Sequence, residues 1–377
     1  MALLIQELEL GNKNLMKNKK IHADKKREFD EVSILNRDTI GLSQRQIIIN
    51  RFVKHKAAMA SIVTLIAIVV IVFSASGFRL GFGSFSIKIP GWWPYSVTDI
   101  DPEGALASMC NGGVTGCPTL DLAPSFLDGD GVEFGKHPFG TDAIGTDYFA
   151  LVTRGAQQSL TVMVIVSFLG IVIGTLIGAI AGFFGGIIDS ILMRITDMFL
   201  VIPAIVVGSV IGFKFGNLGV VPLALMLGFF AWMGLARFVR TEFLTLRERE
   251  FVDAARVAGA SNRRIIFKHI LPNAIGIIIV VGTLLMSGAI LAETALSYLG
   301  FGVKPPDVSL GLLIAEYQGT FNISPWLFWW PGALIVSIAL CVNFIGDGLR
   351  DAFDPRQRRH LSLKERESAR KIDKGIN

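Results

Sequence analysis

The sequence predicts an all-α polytopic membrane protein with six transmembrane helices and both termini in the cytoplasm. Three observations carry that expectation. Only 18% of the 377 residues are charged and 51% are apolar, whereas a soluble domain carries about 25% charge. The apolar residues gather into six long stretches. The basic residues, finally, sit mostly on one side of those stretches. At roughly 150 residues per domain the length would suit two or three soluble domains, but a mean hydropathy of +0.54 leaves too little charge to cover their surfaces. An ordinary soluble enzyme is excluded.

The stretches run from Ala58 to Ala75, Leu160 to Ala181, Phe199 to Gly212, Val220 to Ala236, Ile275 to Ala292, and Leu327 to Ile345. Most approach the roughly 20 residues needed to cross a bilayer. The third and fourth are short, so their boundaries are soft, and Asp197 falls at the start of the third. A helix of a soluble core keeps a polar stripe towards water; the first stretch has none.

Lys and Arg set the orientation. With both ends inside, 30 of the 36 basic residues lie on the cytoplasmic side, including 12 in residues 1–57 and 8 in residues 237–272. The short basic 237–272 segment against the Lys304 loop satisfies the positive-inside rule. The net charge of +5 is therefore topological, and no nucleic-acid reader accompanies it. The first apolar run starts more than 50 residues in, which suits an uncleaved anchor better than a cleavable signal peptide.

Along the chain, residues 1–57 form a polar, basic tail. Its end, QRQIIINRFVKHKAA, mixes apolar and basic residues and reads either as an interfacial helix on the inner leaflet or as an extension of the first span (58–76). Residues 77–155 form an extracytoplasmic excursion with nine acids and four bases; such a length without structure is uncommon. Cys110 and Cys117 lie there, on the side where disulfides survive, and form either a disulfide or two free thiols. Residues 156–348 hold the other five spans, and 349–377 a cytoplasmic tail. No His/Cys grouping suggests a metal, and no nucleophile–base set suggests an enzyme.

In the second span Gly170, Gly174, Gly178, Gly182 and Gly186 recur at every fourth position, a face that lets membrane helices approach closely. Glu293 near the outer end of the fifth span needs a partner, a water-lined path or the interface; a structural hydrogen-bonding role and a place on a translocation path both remain open. Asp189, Arg194 and Asp197 read as a polar network at the cytoplasmic rim.

Residues 251–273, FVDAARVAGASNRRIIFKHILPN, are too charged to enter lipid and too ordered for a casual loop. Asp253-Ala254-Ala255 begins a helix, with Asp253 suited to its positive end. Gly259 permits a tight turn or close contact, Ile265, Ile266, Ile270 and Leu271 give a second apolar face, and Pro272 marks the break before the fifth span. The segment reads as a short rigid helix offered at the membrane surface for another protein to grip.

Asp253-Ala254-Ala255, Gly259 and Leu271-Pro272 resemble the "EAA" coupling segment of permease subunits in bacterial ABC importers, with Asp253 where that family usually has Glu. His269-Ile270-Leu271-Pro272-Asn273 is similar to the form in the C-type permease of the dipeptide/oligopeptide/nickel branch. His137-Pro138-Phe139-Gly140-Thr141-Asp142 with Gly145-Thr146-Asp147 resembles its HPLGTD…GRD signature, with Thr146 in place of Arg. Val303-Lys304-Pro305-Pro306 with Pro325-Trp326 resembles its last outer loop, and the run from Gly346 to Arg356 its closing GDxLRDxLDPR. The resemblance covers about residues 45–357, with a longer excursion than many members have.

The resemblance implies a type I ABC importer permease fold in the bacterial inner membrane, and a subunit that forms half of a pathway for ATP-driven import. Its implied partners are a second homologous permease, two cytoplasmic ABC ATPases that use ATP and Mg2+, an extracytoplasmic solute-binding protein, and membrane lipid. Coupling to the ATPases would fall to Asp253, Ala254, Ala255, Gly259, Arg263, Arg264, Lys268, Leu271 and Pro272. The chain itself is implied to bind no cofactor, and its cytoplasmic parts lack a GxxxxGK[ST] phosphate loop. Di- or oligopeptides are the leading cargo, with nickel complexes, glutathione or another small solute as alternatives. A secondary transporter would instead be expected to show inverted repeats or several buried ion-coupling groups, and a membrane scaffold would need no glycine-lined bundle.

Overall fold

The computed structural model describes residues 44–82, 85–100, 116–120 and 135–353. The expected tail segments 1–43 and 354–377, and Cys110, lie outside the described residues. Cys117 is disulfide-bonded.

The chain divides into two units, Met1–Lys54 and His55–Asn377. The described part of the first is helix α1 (Gln44–Lys54). It is a helix of its own and not an extension of the first span: His55 has extended backbone and its Nδ1 accepts a hydrogen bond from the N–H of Ala58, capping the next helix.

Among the described residues of the second unit, four helices are long and apolar enough to span a membrane outright. They are α2 (Lys56–Ser76), α3 (Tyr148–Phe184), α9 (Leu271–Tyr298, continuous with Asn262–Ile270) and α11 (Trp326–Phe353). The expected third and fourth spans are each a bent pair: α4 (Gly186–Val201) meets α5 (Ala204–Phe215) at 75°, and α6 (Val220–Phe229) meets α7 (Met233–Arg247) at 42°. Ile202 is extended and Pro203 supplies no N–H, so an α-helical ladder cannot run through them. Counted as single spans, the pairs bring the total to six.

Between α2 and α3 a two-stranded antiparallel hairpin, β1 (Phe78–Phe82) and β2 (Phe85–Ile89), pairs Phe78 with Ile89. This small departure from an all-α chain belongs to the excursion. The excursion then folds onto the start of α3. Asp147 caps α3 by accepting from the N–H of Ala150 at 2.8 Å, accepts a second bond from Trp93 Nε1 at 2.8 Å, and pairs with His137 Nδ1 at 2.8 Å. Phe139 stacks on Trp330 of α11 with 3.9 Å between ring centroids, and Tyr148 Oη donates to the carbonyl of Leu327. The HPFGTD…GTD stretch is thus the joint that seats the excursion on two spans.

Two hydrophobic clusters fill the bundle. One surrounds the hairpin-side half of α3, with Val152, Leu160, Leu223, Ile290, Leu310, Leu313 and Ile338 among its buried members. The other lies at the opposite end of α3 and joins Ala179, Phe183, Val239, Phe243, Val252, Ile265 and Ile270. Outside these cores, large apolar side chains face outward, among them Val63, Ile66, Ile187, Met198 and Val201, the opposite of what water selects.

The glycine face decides how α3 meets its neighbours. A Cβ would stand 2.7 Å from Leu285 at Gly170, 2.8 Å from the Trp232 carbonyl oxygen at Gly174, 2.4 Å from that of Ala236 at Gly178, and 2.6 Å from that of Arg240 at Gly182. The last three lie against α7 or the residue leading into it. Gly186 does not belong to this face. The helix stops at Gly185, Gly186 has φ +56°, and no atom lies within 4 Å of its would-be Cβ; the fourfold spacing continues in sequence past the point where the helix that gave it meaning has ended.

Candidate functional site

The 251–273 segment stands at the end of the bundle remote from the hairpin. Helix α8 (Glu250–Val257) begins three residues before Asp253, so Glu250 and Asp253 share the first turn, where their charge meets the positive end of the helix. One face is inward: Val252 is fully buried and Ala255 nearly so, both packed with Phe243, Ile265 and Ile270. Full burial of a valine stabilises by roughly 1.5–3 kcal/mol. The other face is open. Asp253, Ala254, Arg256 and Ala258 are exposed, and Val257 is 90% exposed. Asp253 Oδ1 pairs with Arg256 Nη1 at 3.0 Å along that open face.

The end of α8 is a Schellman motif. The N–H of Gly259 donates to the Arg256 carbonyl at 2.9 Å, and that of Ala260 to the Ala255 carbonyl at 3.0 Å. Gly259 has φ +76°, and nothing lies within 4 Å of where its Cβ would be. Glycine is thus needed here for a turn and not for a close contact within the chain. The knob it closes is short and fixed on its inner side by apolar packing.

Beyond the turn the chain passes through Asn262–Arg264 into a π-helical turn, Ile265–Ile270, and directly into α9. Pro272 therefore does not break the segment from the fifth span. The wider turn, closed by the Leu271 N–H donating to the Ile266 carbonyl, admits proline where a regular α-helical turn would crowd its ring. Asn273 Nδ2 donates to the His269 carbonyl at 2.7 Å. Arg263, Arg264, Lys268 and Pro272 are exposed and Leu271 is half-buried against the second cluster.

The knob is tied to α3 through α7. Phe243 is buried between Gly182 and Val252, and Arg247 Nη1 donates to the carbonyls of Gly182 and Phe183 at 3.4 and 3.3 Å. Two ion pairs add α4 to this assembly: Arg240 holds Asp189, with Nη2 2.6 Å from Oδ2, and Arg237 holds Asp197. The acids of the expected rim network thus pair with arginines of α7 and not with Arg194.

Glu293 lies far from the knob, 1% exposed near the hairpin-side end of α9. Its Oε1 accepts from Ser297 Oγ at 2.7 Å and its Oε2 from Ser159 Oγ of α3 at 3.0 Å. Ser309 Oγ donates to Ser297 Oγ at 3.2 Å. Ser159 Oγ also accepts from the Leu310 N–H at 3.2 Å, and Ser297 Oγ from the Val303 N–H at 3.3 Å. Glu293 borders an apolar cavity of about 510 Å³ whose wall includes Phe199, Pro203, Ile211, Phe230 and Leu296. Farther along, helix α10 (Leu310–Tyr317) places Tyr317 Oη 3.3 Å from Asp142 Oδ2. Burial, and then Asp142, hold the neighbouring Glu316 carboxyl above the usual carboxylate range.

Residues 174–359 match the family described as the binding-protein-dependent transport system inner membrane component. The chain is 37% identical to the oligopeptide transport system permease protein OppC of Mycobacterium tuberculosis over 317 residues, 84% of this chain and 96% of that one. The chain belongs to the oligopeptide-type permeases of bacterial ABC importers. The OppC protein of Haemophilus influenzae is 35% identical over 308 residues, 82% of this chain and 87% of that one. A putative peptide permease protein of Brucella suis is 36% identical over 309 residues, 81% and 89% of the two chains.

This permease is a multi-pass membrane protein and a non-catalytic subunit. Among the described residues no group of three or more His, Cys, Asp or Glu is placed to hold a metal ion. The family match opens within α3, at the first glycine that meets α7, and takes in the knob, α9 and α11. Two constellations were not read from the sequence. Ser159, Ser297 and Ser309 are short polar residues of the kind apolar helices commonly hold. The His137–Asp147–Trp93 joint had one available clue, the HPFGTD…GTD stretch, which without a fold does not reveal that the histidine of its first part faces the aspartate of its second.

Proposed function

We propose that this permease forms half of a pathway for ATP-driven import of di- or oligopeptides, and that α8 with its Gly259 turn is the surface a cytoplasmic ATPase grips. The observation that carries the second part is the asymmetry of α8: Val252 and Ala255 are anchored in the bundle while Asp253, Ala254, Arg256 and Val257 stand open. A knob that cannot rotate on its base transmits force, whereas a loop would absorb it. Force on α8 reaches α3 through Phe243, Arg247 and the glycine face.

In this reading two permeases line the path, two ATPases bind and hydrolyse ATP with Mg2+, and an extracytoplasmic binding protein supplies the peptide. Both termini are then cytoplasmic, in keeping with the basic residues of 1–57 and 237–272. Arg263, Arg264 and Lys268 flank the knob and suit an acidic rim on the ATPase. The peptide assignment draws on the relatives' names, OppC of two bacteria and a peptide permease of a third.

Uptake by the complete complex in proteoliposomes tests both parts. Labelled di- and oligopeptides should accumulate only with ATP, both ATPases and the binding protein present. Uptake of a nickel complex with no peptide transported would overturn the cargo. Gly259→Arg should insert normally yet support little uptake; wild-type uptake by that variant would remove α8 from the coupling role.

A further inference from the structure

We propose that Glu293 is a positioning residue that clamps the α9–α10 connection and the start of α10 onto the spans beside the transport pathway. The inference rests on the permease reading above and assigns Glu293 a task within it. Three serines from three places converge here: Ser159 on α3, Ser297 on α9, and Ser309 at the cap of α10. Ser159 and Ser297 spend their proton on the carboxylate, and Ser309 spends its own on Ser297. That direction frees each hydroxyl oxygen to accept from a backbone N–H: Leu310 at Ser159, Val303 at Ser297, and Leu312 at Ser309. Both carboxyl oxygens accept, so the carboxyl fixes the sense of the bonds that end on it.

The segment held this way has reason to need a clamp. Leu310 and Leu313 of α10 are buried in the first cluster, and Gly311 lies so close to α9 that a Cβ would be 2.7 Å from Thr294 Cα. Gln158 adds a second tie, donating to Asp307 Oδ1 at 2.8 Å and accepting from the Val308 N–H at 2.9 Å. Glu293 is also on the wall of the apolar cavity, but both of its oxygens already receive serine protons. The carboxyl is committed to the protein and not offered to cargo.

A cysteine at the buried position 313 reads the clamp directly. In the assembled transporter in lipid nanodiscs, Leu313→Cys should react slowly with a membrane-impermeant maleimide. Adding Glu293→Ala should raise that rate by about tenfold or more, as expected when buried hydrogen-bond partners are left unsatisfied. Ser159→Ala should raise it less. Glu293→Gln, which keeps one acceptor, should fall between the parent and Glu293→Ala in both labelling and uptake. Unchanged labelling in Ser159→Ala and Glu293→Gln overturns the clamp, even if Glu293→Ala fails to accumulate. So does Glu293→Gln abolishing uptake with labelling at the parent rate, because the charge would then be serving the cargo. The labelling needs no transported solute, so its failure is separable from an error in the peptide assignment.

Discussion

The space between Gly182 and Arg240 is too narrow for a methyl group: a Cβ on Gly182 would stand 2.6 Å from the Arg240 carbonyl oxygen. Neither helix can yield locally, because the obstacle is backbone, so α3 and α7 would have to part along the whole glycine face. Gly178→Ala and Gly182→Ala should each cost about 1–3 kcal/mol, the range for overpacking. Thermal unfolding of the detergent-solubilised complex measures this. Gly332→Ala in α11, where nothing lies within 4 Å, should not lower the midpoint; an equal loss there would show that helical glycines matter generally and not through this contact.

The turn after α8 makes a different demand. Gly259 needs a left-handed backbone but no space, so the cost of a side chain follows its backbone preference and not its size. Asn tolerates that region and β-branched residues do not. Gly259→Asn should retain more ATP-coupled uptake than Gly259→Val. The reverse order would mean that volume at the partner's surface governs this position.

At the other end of the bundle, Asp147→Ala removes a helix cap and leaves the buried His137 and Trp93 without the carboxylate they share. Leaving a buried hydrogen-bonding group unsatisfied typically costs about 1–3 kcal/mol, and the lost cap about 1 kcal/mol more. The variant should accumulate poorly, while Asp142→Ala, whose half-buried carboxyl accepts from the Ile144 and Thr146 N–H groups, should be milder. Pulse-chase turnover of the two variants compares them.

Glu316 gives a pH dependence. Its carboxyl is raised above the usual range, first by burial and then by Asp142, so the folded contact favours the protonated acid. The stability it contributes is present below the ordinary carboxylate pKa and is lost as pH climbs through the raised value. Acidifying from neutral should therefore tighten the packing of α10 against the Asp142 turn, and Glu316→Gln should mimic acid and flatten the response. Thermal midpoints of parent and variant across pH 4 to 8, a range spanning the carboxylate region, test this.

The spans without prolines or bends were legible because apolar length alone identifies them, and α2 differs from its expected bounds by only a few residues. Span two was underestimated at its start: Thr153, Gln157, Gln158 and Ser159 are polar but buried, and their partners are Ser76, Gly77, Asp307 and Glu293. The two bent pairs were hidden for a related reason. Pro203 looks like any tolerated membrane proline until Ile202 is seen extended beside it. Around α8 the motif located the knob and its glycine, yet Pro272 misled, since a π turn is invisible to residue counting. Glu293 was conspicuous as a charge in an apolar run; what answers it comes from residues 134 positions upstream and 4 downstream, and only the first of those distances required a fold.

The unbroken length of α3 has a mechanical corollary. Its 37 residues extend about 55 Å at 1.5 Å per residue, well beyond a hydrocarbon layer of about 30 Å. The glycine contacts with α7 lie towards one end, leaving roughly 46 Å of rod between the middle of that seam and Asp147. Each degree of tilt about the seam displaces the Asp147 end by about 0.8 Å on that geometry. The helix is a lever with unequal arms, and a small displacement delivered at the short arm is magnified where the excursion rests on the long one.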